Sequence, residues 1–507
     1  MFDDPITQQN PFDLICHLAE DRHIGDWSCF ERGESGNITF KNSMEFESFW
    51  SSFLKVAGSV WWTRMWTVQE AILPKAGVMT YDTWSVPLDA ITKCGTNYYN
   101  HVWDCCEHVI PSLPQPLAIA LDEFCTIFLT LDRDRDLADN EYFDIQEQHL
   151  SYGPRQCQNP RDKVYGLLAL IGNISDLDFW LTPDYSKSEN EVFYDTTIAM
   201  LYREWRNLKC LTGAQYGAEE HKWASWVRNF GTPLTQSDAD TGSNRLMIYE
   251  LFDACRGRKA NFEAYRTWPQ YADEKPYQVA LKVTGRCVGK VTSVSAVAQS
   301  GSATEHAEKR KKALIEWIKA AKVDSGLPSE HQRYSDATRR FWRTVLGGVM
   351  SVGNDSTEYS DWRRFDDEAM TWIEPFLSWI HNDEIDLPFA LDRTLIIAID
   401  GRCYFQSEDG GQGLCYPTTR PADEIWVVDG SKVPFILRPV QLSSVESAEL
   451  RPGEAYGVND EGVYGVKDDF EPEEDVHGYY ELVGDCYLDG YMHGEGVEHA
   501  EHSIVLV

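Results

Sequence analysis

The sequence predicts an α+β protein in which a helix-rich front half gives way to a β-rich end, and three observations carry that expectation. Apolar residues recur at helical spacing through most of the first 210 positions. From about residue 278 the period switches to the alternation of strands. From about residue 385 onward, short β-branched and aromatic segments are separated by Gly, Pro and Asp turns, the spacing of a small antiparallel barrel or sandwich. With 507 residues, 43% of them hydrophobic, the chain can build more than one core. The expected division is 1–95, a helical region over 96–230, a variable region over 231–384 with strands at 278–297, and a β-rich domain over 385–507.

The elements follow in chain order. "PFDLICHLA" and "FESFWSSFLKVAGSVWW" have helical period, and a helix is expected over 61–73. "AGVMTYDTWSVPLDAI" reads as a short strand, a turn and a helix starting at the Pro. "LAIALDEFCTIFLTL" is helical and "DRDRDLADNEY" a charged loop after it. "RDKVYGLLALI" and "SENEVFYDTTIAMLYREW" are helices, the second opened by a capping box of Ser188 and Glu191. "YQVALKVTGRCVGKVTSVSAV" alternates as strands do, before a basic helical insertion, "EHAEKRKKALIEWIKAAKV", and a further helical stretch over roughly 335–380. "RTLIIAI", "RCYFQ", "EIWVVDG", "PFILRPV" and "YYELVGDCYLDG" are read as strands, and the acidic "DDFEPEED" as a solvated loop.

The formal charge of -35, from 81 acidic against 46 basic residues, repels a phosphate backbone, so nucleic acid is excluded as an expected partner. No window approaches 18 consecutive apolar residues, and "MFDDPITQQNPFDLI" has neither a basic nor an apolar leader region. No membrane contact is expected, and a cytoplasmic protein is the default. The thirteen cysteines are an odd number at irregular spacing, so reduced thiols are expected. "HVWDCCEHV", with His101, Cys105, Cys106 and His108, raises a metal site. Adjacent cysteines seldom chelate one zinc, however, and no second C-x-x-C closes a tetrahedron, so neither metal nor cofactor is expected. His493, Glu495, His499 and His502 read as an ordinary polar tail.

No G-x-S-x-G, Walker A or H-E-x-x-H motif occurs, and "EDGGQGLCYP" runs into a Pro between strands, which makes it a β-turn rather than a phosphate loop. Two stretches remain. In "WWTRMWTVQEAIL", Trp62, Met65, Trp66 and Gln69 fall at i, i+3, i+4 and i+7, one face of a helix, with Arg64 and Glu70 off that stripe. Either the helix is a core element with solvated flanks, or it brings a carboxylate to the wall of a cleft. In "NPRDKVYGLLALI", Asp162 is expected to cap or pair at a helix start with Arg161, and Val164, Leu167, Leu168 and Ile171 supply the apolar face.

The order of "RMWTVQEAIL" at 64–73, "NPRDKVYGLLALI" at 159–171 and "LTPDYSKSENEVFYDTT" at 181–197 resembles the later part of fungal heterokaryon incompatibility (HET) domain proteins. "DEIWVVDGSKVPFILRPV" at 423–440 and "YELVGDCYLDGYMHGEGV" at 480–497 are similar to that family's β-rich tail. The family usually opens with an "ALSY-WG"-like strand and an "IDA-CINQ"-like block, and neither precedes Trp61. The resemblance therefore makes 1–95 the C-terminal part of a HET domain, a partial, TIR-like α/β remnant. Either a truncated gene model or a degenerate paralogue is expected. It also implies a role in non-self recognition and regulated cell death, with a protein partner of an incompatibility system. A remote likeness of HET to TIR domains implies an alternative: NAD cleavage with Glu70 as the catalytic carboxylate and Arg64, Trp66 and Gln69 as cofactor-binding neighbours. Such a carboxylate stabilises an oxocarbenium-like transition state as glycosidase carboxylates do. An inactive truncated paralogue is the third possibility.

Overall fold

The computed structural model describes residues 10–33, 38–41, 44–137, 144–171, 181–203, 207–213, 224–266, 279–298, 303–323, 334–352, 362–365, 373–382, 385, 387–441, 454–458, 464–467 and 476–507. The acidic "DDFEPEED" tract lies outside them. The architecture is α+β, and the chain divides into two compact units: Met1–Pro183 with Phe230–Ala239, and Asp184–Asn229 with Asp240–Val507.

The first unit is helical with small hairpins. Its helices are α1 (Asp13–Ala19), α2 (Met44–Ala57), α3 (Thr67–Ile72), α4 (Leu88–His101), α5 (Gln115–Leu137), α6 (Ile145–Tyr152) and α7 (Asp162–Tyr165). β1 (Phe30–Arg32) pairs with β2 (Ile38–Phe40), and β3 (Val78–Tyr81) with β4 (Trp84–Pro87), all antiparallel. The expected strand, turn and helix at 78–91 gains a second strand: Asp82 takes a positive φ at the turn, and Pro87 stands at the N-cap of α4. One core joins Phe12 at the N-cap of α1, with Ile15 and Leu18 of that helix, to Phe53 of α2, Val68 and Ile72 of α3, Ile91 and Tyr98 of α4, and Leu121, Phe124 and Phe128 of α5. Trp62 packs edge-on against Phe124 and Phe128, with ring centroids 5.6 and 4.9 Å away. The expected loop at "DRDRDL" is instead the last turn and a half of α5. Its charged side chains do not stop it because Asp134 is fully buried and bonded, and Arg135 is used inside the unit. The expected helix in "RDKVYGLLALI" ends after one turn and continues as a 3-10 turn over Leu168–Leu170, yet Val164, Leu167, Leu168 and Ile171 are all buried as the spacing predicts.

The second unit holds α8 (Glu189–Arg203), whose capping box forms as expected: the Ser188 amide donates to Glu191 Oε2 (2.8 Å) and the Glu191 amide to Ser188 Oγ (3.3 Å). α9 (Gln236–Tyr249) belongs to this unit from residue 240 onward. The sheet begins with β5 (Phe262–Arg266) and the 19-residue β6 (Val279–Val297). α10 (Ala303–Ala321), α11 (Asp336–Val345), the hairpin β7 (Val349–Ser351) and β8 (Trp362–Arg364), α12 (Ile373–His381) and α13 (Phe389–Ile399) follow. Then come β9 (Cys403–Ser407), β10 (Gln412–Cys415), β11 (Glu424–Val428), β12 (Phe435–Val440), β13 (Glu454–Val458), β14 (Tyr464–Lys467), β15 (Val476–Asp485), β16 (Tyr487–Leu488) and β17 (His502–Leu506).

"RTLIIAI" lies in α13, not in a strand. An unbroken apolar run carries no period to tell the two apart, and Pro388 at the N-cap, with Thr394 donating to the Ala390 carbonyl at 2.7 Å, settles it as helix. The remaining segments form one sheet that closes: β6 pairs with β11, β11 with β12, β12 with β15, β15 with β17, and β17 with β6. Five strands of this eleven-stranded sheet thus close a barrel. The β15–β17 pair is parallel, a departure from the all-antiparallel expectation. Gly289 and Gly484 sit at positive φ beside the register shifts of β11 and β12, where bulges bend the strands into closure. "EDGGQG" is the turn between β9 and β10.

Candidate functional site

The stretch Trp61–Leu73 is two elements rather than one helix. Ser59 opens a 3-10 turn over Val60–Thr63 by accepting from the Trp61 amide at 3.3 Å. The chain then extends through Arg64, which bridges in parallel to Gln156, and α3 begins at Thr67. Two sets of hydrogen bonds cause the break. The Met65 amide donates to the Gln156 carbonyl (2.9 Å), and the Thr67 hydroxyl lies within bonding distance of the Trp61 and Arg64 carbonyls (2.9 and 2.6 Å), so the backbone ladder does not run through. Trp62 and Met65 are buried, as the stripe predicts. Trp66 is not: it is 36% exposed, and the buried face of α3 is Thr67, Val68, Ala71 and Ile72.

The "NPRDKVYG" block clamps this segment. Gln69 donates its amide to the Tyr165 carbonyl at 3.2 Å. Gly166 lies so close to Met65 that a Cβ there would stand 2.9 Å from Met65 Cγ and 2.8 Å from the Asp162 carbonyl oxygen. Entry into α7 is held by Asn159, whose Oδ1 accepts from the Arg161 amide (3.1 Å) and Nε (3.0 Å).

Buried ions complete the clamp. The Arg155 guanidinium donates to Thr67 Oγ1 at 3.1 Å and stands over the Tyr152 ring, 5.4 Å from its centroid. Tyr152 donates to the buried Asp134 at 2.6 Å, and Arg133 donates to the other oxygen at 2.9 Å. Burial lowers the Arg155 pKa and pushes the Tyr152 phenol well above its usual value. Lys163, also lowered by burial, donates to the Gly153 carbonyl at 2.6 Å and to that of Arg155. At the other end of α3, Arg135 donates to the carbonyls of Ala71 (2.6 Å) and Pro74 (3.1 Å) and pairs with Asp89 (2.8 Å). A cation there satisfies carbonyls that a helix end leaves without partners. Spacing gave no signal for the contacts of Arg155 with Thr67, Asp134 with Tyr152, or Arg135 with Ala71, Pro74 and Asp89, which join residues distant in the chain.

Glu70 is exposed, and its Oε2 accepts from the Trp61 indole N–H at 3.2 Å. Arg64, also exposed, makes no ion pair with it. The structure therefore places Glu70 beside Trp61, ties Gln69 to Tyr165, and leaves Trp66 and Arg64 on the surface. An exposed carboxylate with one neutral donor is competent to accept a hydrogen bond or face a cation.

Of His101, Cys105, Cys106 and His108, the structure gathers the first three and adds His23, whose imidazole comes from 78 positions upstream of His101; His108 is exposed and outside the group. The other group does not gather and is no loose tail. The His493 amide donates to Glu495 (2.7 Å), His499 lies against Tyr491, and His502, in β17, lies tilted against His477 with ring centroids 4.2 Å apart.

No family model matches the chain, and no solved structure matches it. The chain is 22% identical over 504 residues to "Heterokaryon incompatibility protein 6, OR allele" of Neurospora crassa, a match covering 89% of this chain. It spans 66% of the length of that relative. This distant homology supports a HET-like family. No helix among the described residues is long and apolar enough to cross a membrane.

Proposed function

We propose that this chain is an incompatibility protein of the HET type, acting in non-self recognition and regulated cell death by association with a protein partner. The observation that carries the reading is the homology to a heterokaryon incompatibility protein along 89% of the chain. The surface we assign to the partner is the Val60–Leu73 stretch. Val60 (74% exposed), Trp66 and Leu73 (43%) carry that contact as exposed apolar area, with the charged Arg64 beside them, while Glu70, bonded to the Trp61 indole, is given no part in it. The rigid clamp beneath it, from Gln69 to Arg135, holds that surface in one shape and lowers the entropy lost on binding.

The test is a forced heterokaryon. The gene, expressed from its full locus, is introduced into strains carrying different alleles, and death of fused compartments is scored with a vital dye. Death in some pairings and not in others supports the reading; uniform survival in every pairing sinks it.

A second reading, TIR-like NAD glycohydrolysis at Glu70, draws support from the Trp61–Glu70 hydrogen bond, which orients a surface carboxylate among tryptophans. It requires NAD to fall in dying compartments and Glu70→Gln to abolish that fall. A truncated, inactive paralogue would kill in no pairing.

A further inference from the structure

His101 ends α4, and the chain does not stop there but widens into a π turn over Val102–Cys106. That turn removes the objection to adjacent cysteines. In an α-helix successive side chains diverge by about 100°, so Cys106 would point roughly 140° away from His101. With i→i+5 bonding the turn holds more residues, and positions 101, 105 and 106 return to one face. α1 packs on the same helix, and the turn after it delivers His23, anchored through its carbonyl by His17 Nε2 at 2.9 Å.

Four potential ligand atoms meet there, all within 4.8 Å of one another. Cys105 Sγ lies 3.2 Å from His101 Nδ1, 3.3 Å from His23 Nδ1 and 3.6 Å from Cys106 Sγ. Cys106 Sγ lies 3.6 Å from His23 Nδ1 and 4.0 Å from His101 Nδ1. With zinc bonds of about 2.3 Å to sulfur and 2.0–2.1 Å to nitrogen, a tetrahedral site has edges of about 3.3 to 3.8 Å. The four atoms thus stand close to the edges of a zinc tetrahedron. Behind His101, the Asp21 carboxylate is 3.4 Å from Nε2, the place where a second carboxylate fixes the ring of a metal-bound histidine. Cys106 and His101 are buried while Cys105 and His23 are exposed, so an ion has a way in.

We infer that His23, His101, Cys105 and Cys106 form a Cys2His2 site for a borderline-soft divalent cation, zinc by preference, which fastens the turn after α1 to the end of α4. Two thiolates and two neutral imidazoles neutralise a dication, and a site with four protein ligands is structural rather than catalytic. Formation releases the two thiol protons to solvent as the two S–metal bonds form.

The full chain, purified reduced and stripped of metal, is titrated with Co2+ and then Zn2+. One equivalent of Co2+ gives the intense visible bands of a tetrahedral thiolate site, and Zn2+ displaces it. Cys105→Ser, His23→Ala and the Cys105→Ser/Cys106→Ser pair each weaken binding at least tenfold, while His108→Ala binds as the parent does. Circular dichroism confirms that the exposed-ligand variants fold. Weak octahedral bands, equal affinity in the double variant, or a Cys105–Cys106 disulfide found by mass under reducing purification would each overturn the site.

Discussion

Arg135 and Asn159 each finish a helix that the sequence leaves open. Arg135 binds two carbonyls at the end of α3 and an aspartate, so Arg135→Ala is expected to cost about 1.5–3 kcal/mol, the range for hydrogen bonds to a charged group. Urea unfolding checks it, with a midpoint within error of the parent as the contrary result. Asn159→Ala removes the two side-chain hydrogen bonds at the entry to α7 and is expected to cost about 0.5–1.5 kcal/mol in the same urea unfolding. The cysteines make a pH prediction. Burial pushes the Cys403 thiol up to about 11 and Cys415 to about 12, from an ordinary 9.0. Folded thiols that hold their protons above the unfolded value favour the native state fully below pH 9, and that stability is lost as pH rises from there through 11 to 12. Thermal melts should therefore fall steeply above pH 9. In the metal-free protein at pH 8, iodoacetamide should mark the exposed Cys105 long before Cys403 or Cys415.

At the scale of elements, α4 and α5 approach through Gly95. A Cβ there would lie 2.7 Å from the Cys125 carbonyl oxygen and 2.9 Å from Phe128 Cβ, contacts the backbone cannot relieve by a rotamer change. Gly95→Ala should cost about 1–3 kcal/mol by overpacking, measured by denaturant unfolding. The strands and caps that were legible in the sequence were those whose signal is local. The Ser188–Glu191 box, the alternation of β6 and the turn at "EDGGQG" need only neighbouring residues. What escaped depends on distant partners. The break at Arg64 comes from Gln156, α5 runs through "DRDRDL" because Tyr152 and α3 use its charges, and "RTLIIAI" has no period to read. The candidate site shows the same division: burial of Trp62 and Met65 follows from spacing, whereas the Trp61–Glu70 bond and the arrival of His23 beside Cys105 do not.

For the whole molecule, two features frame the function. A helical unit carries the Val60–Leu73 surface on a buried ionic clamp, and a second unit closes a five-stranded barrel around β6. The net charge of -35 sets a negative field around the chain, the ground on which the sequence predicts no nucleic-acid partner. The central claim is that it acts by association at that surface and not by turnover at Glu70. The direct measurement is compartment death in a forced heterokaryon expressing Glu70→Gln from the full locus, with NAD followed in the same cells and folding confirmed by circular dichroism. An exposed glutamate changed to its isostere alters stability by less than about 0.5 kcal/mol, so the fold survives. The account predicts death at the parental level. Survival of the fused compartments, with NAD preserved and the variant folded, would contradict it.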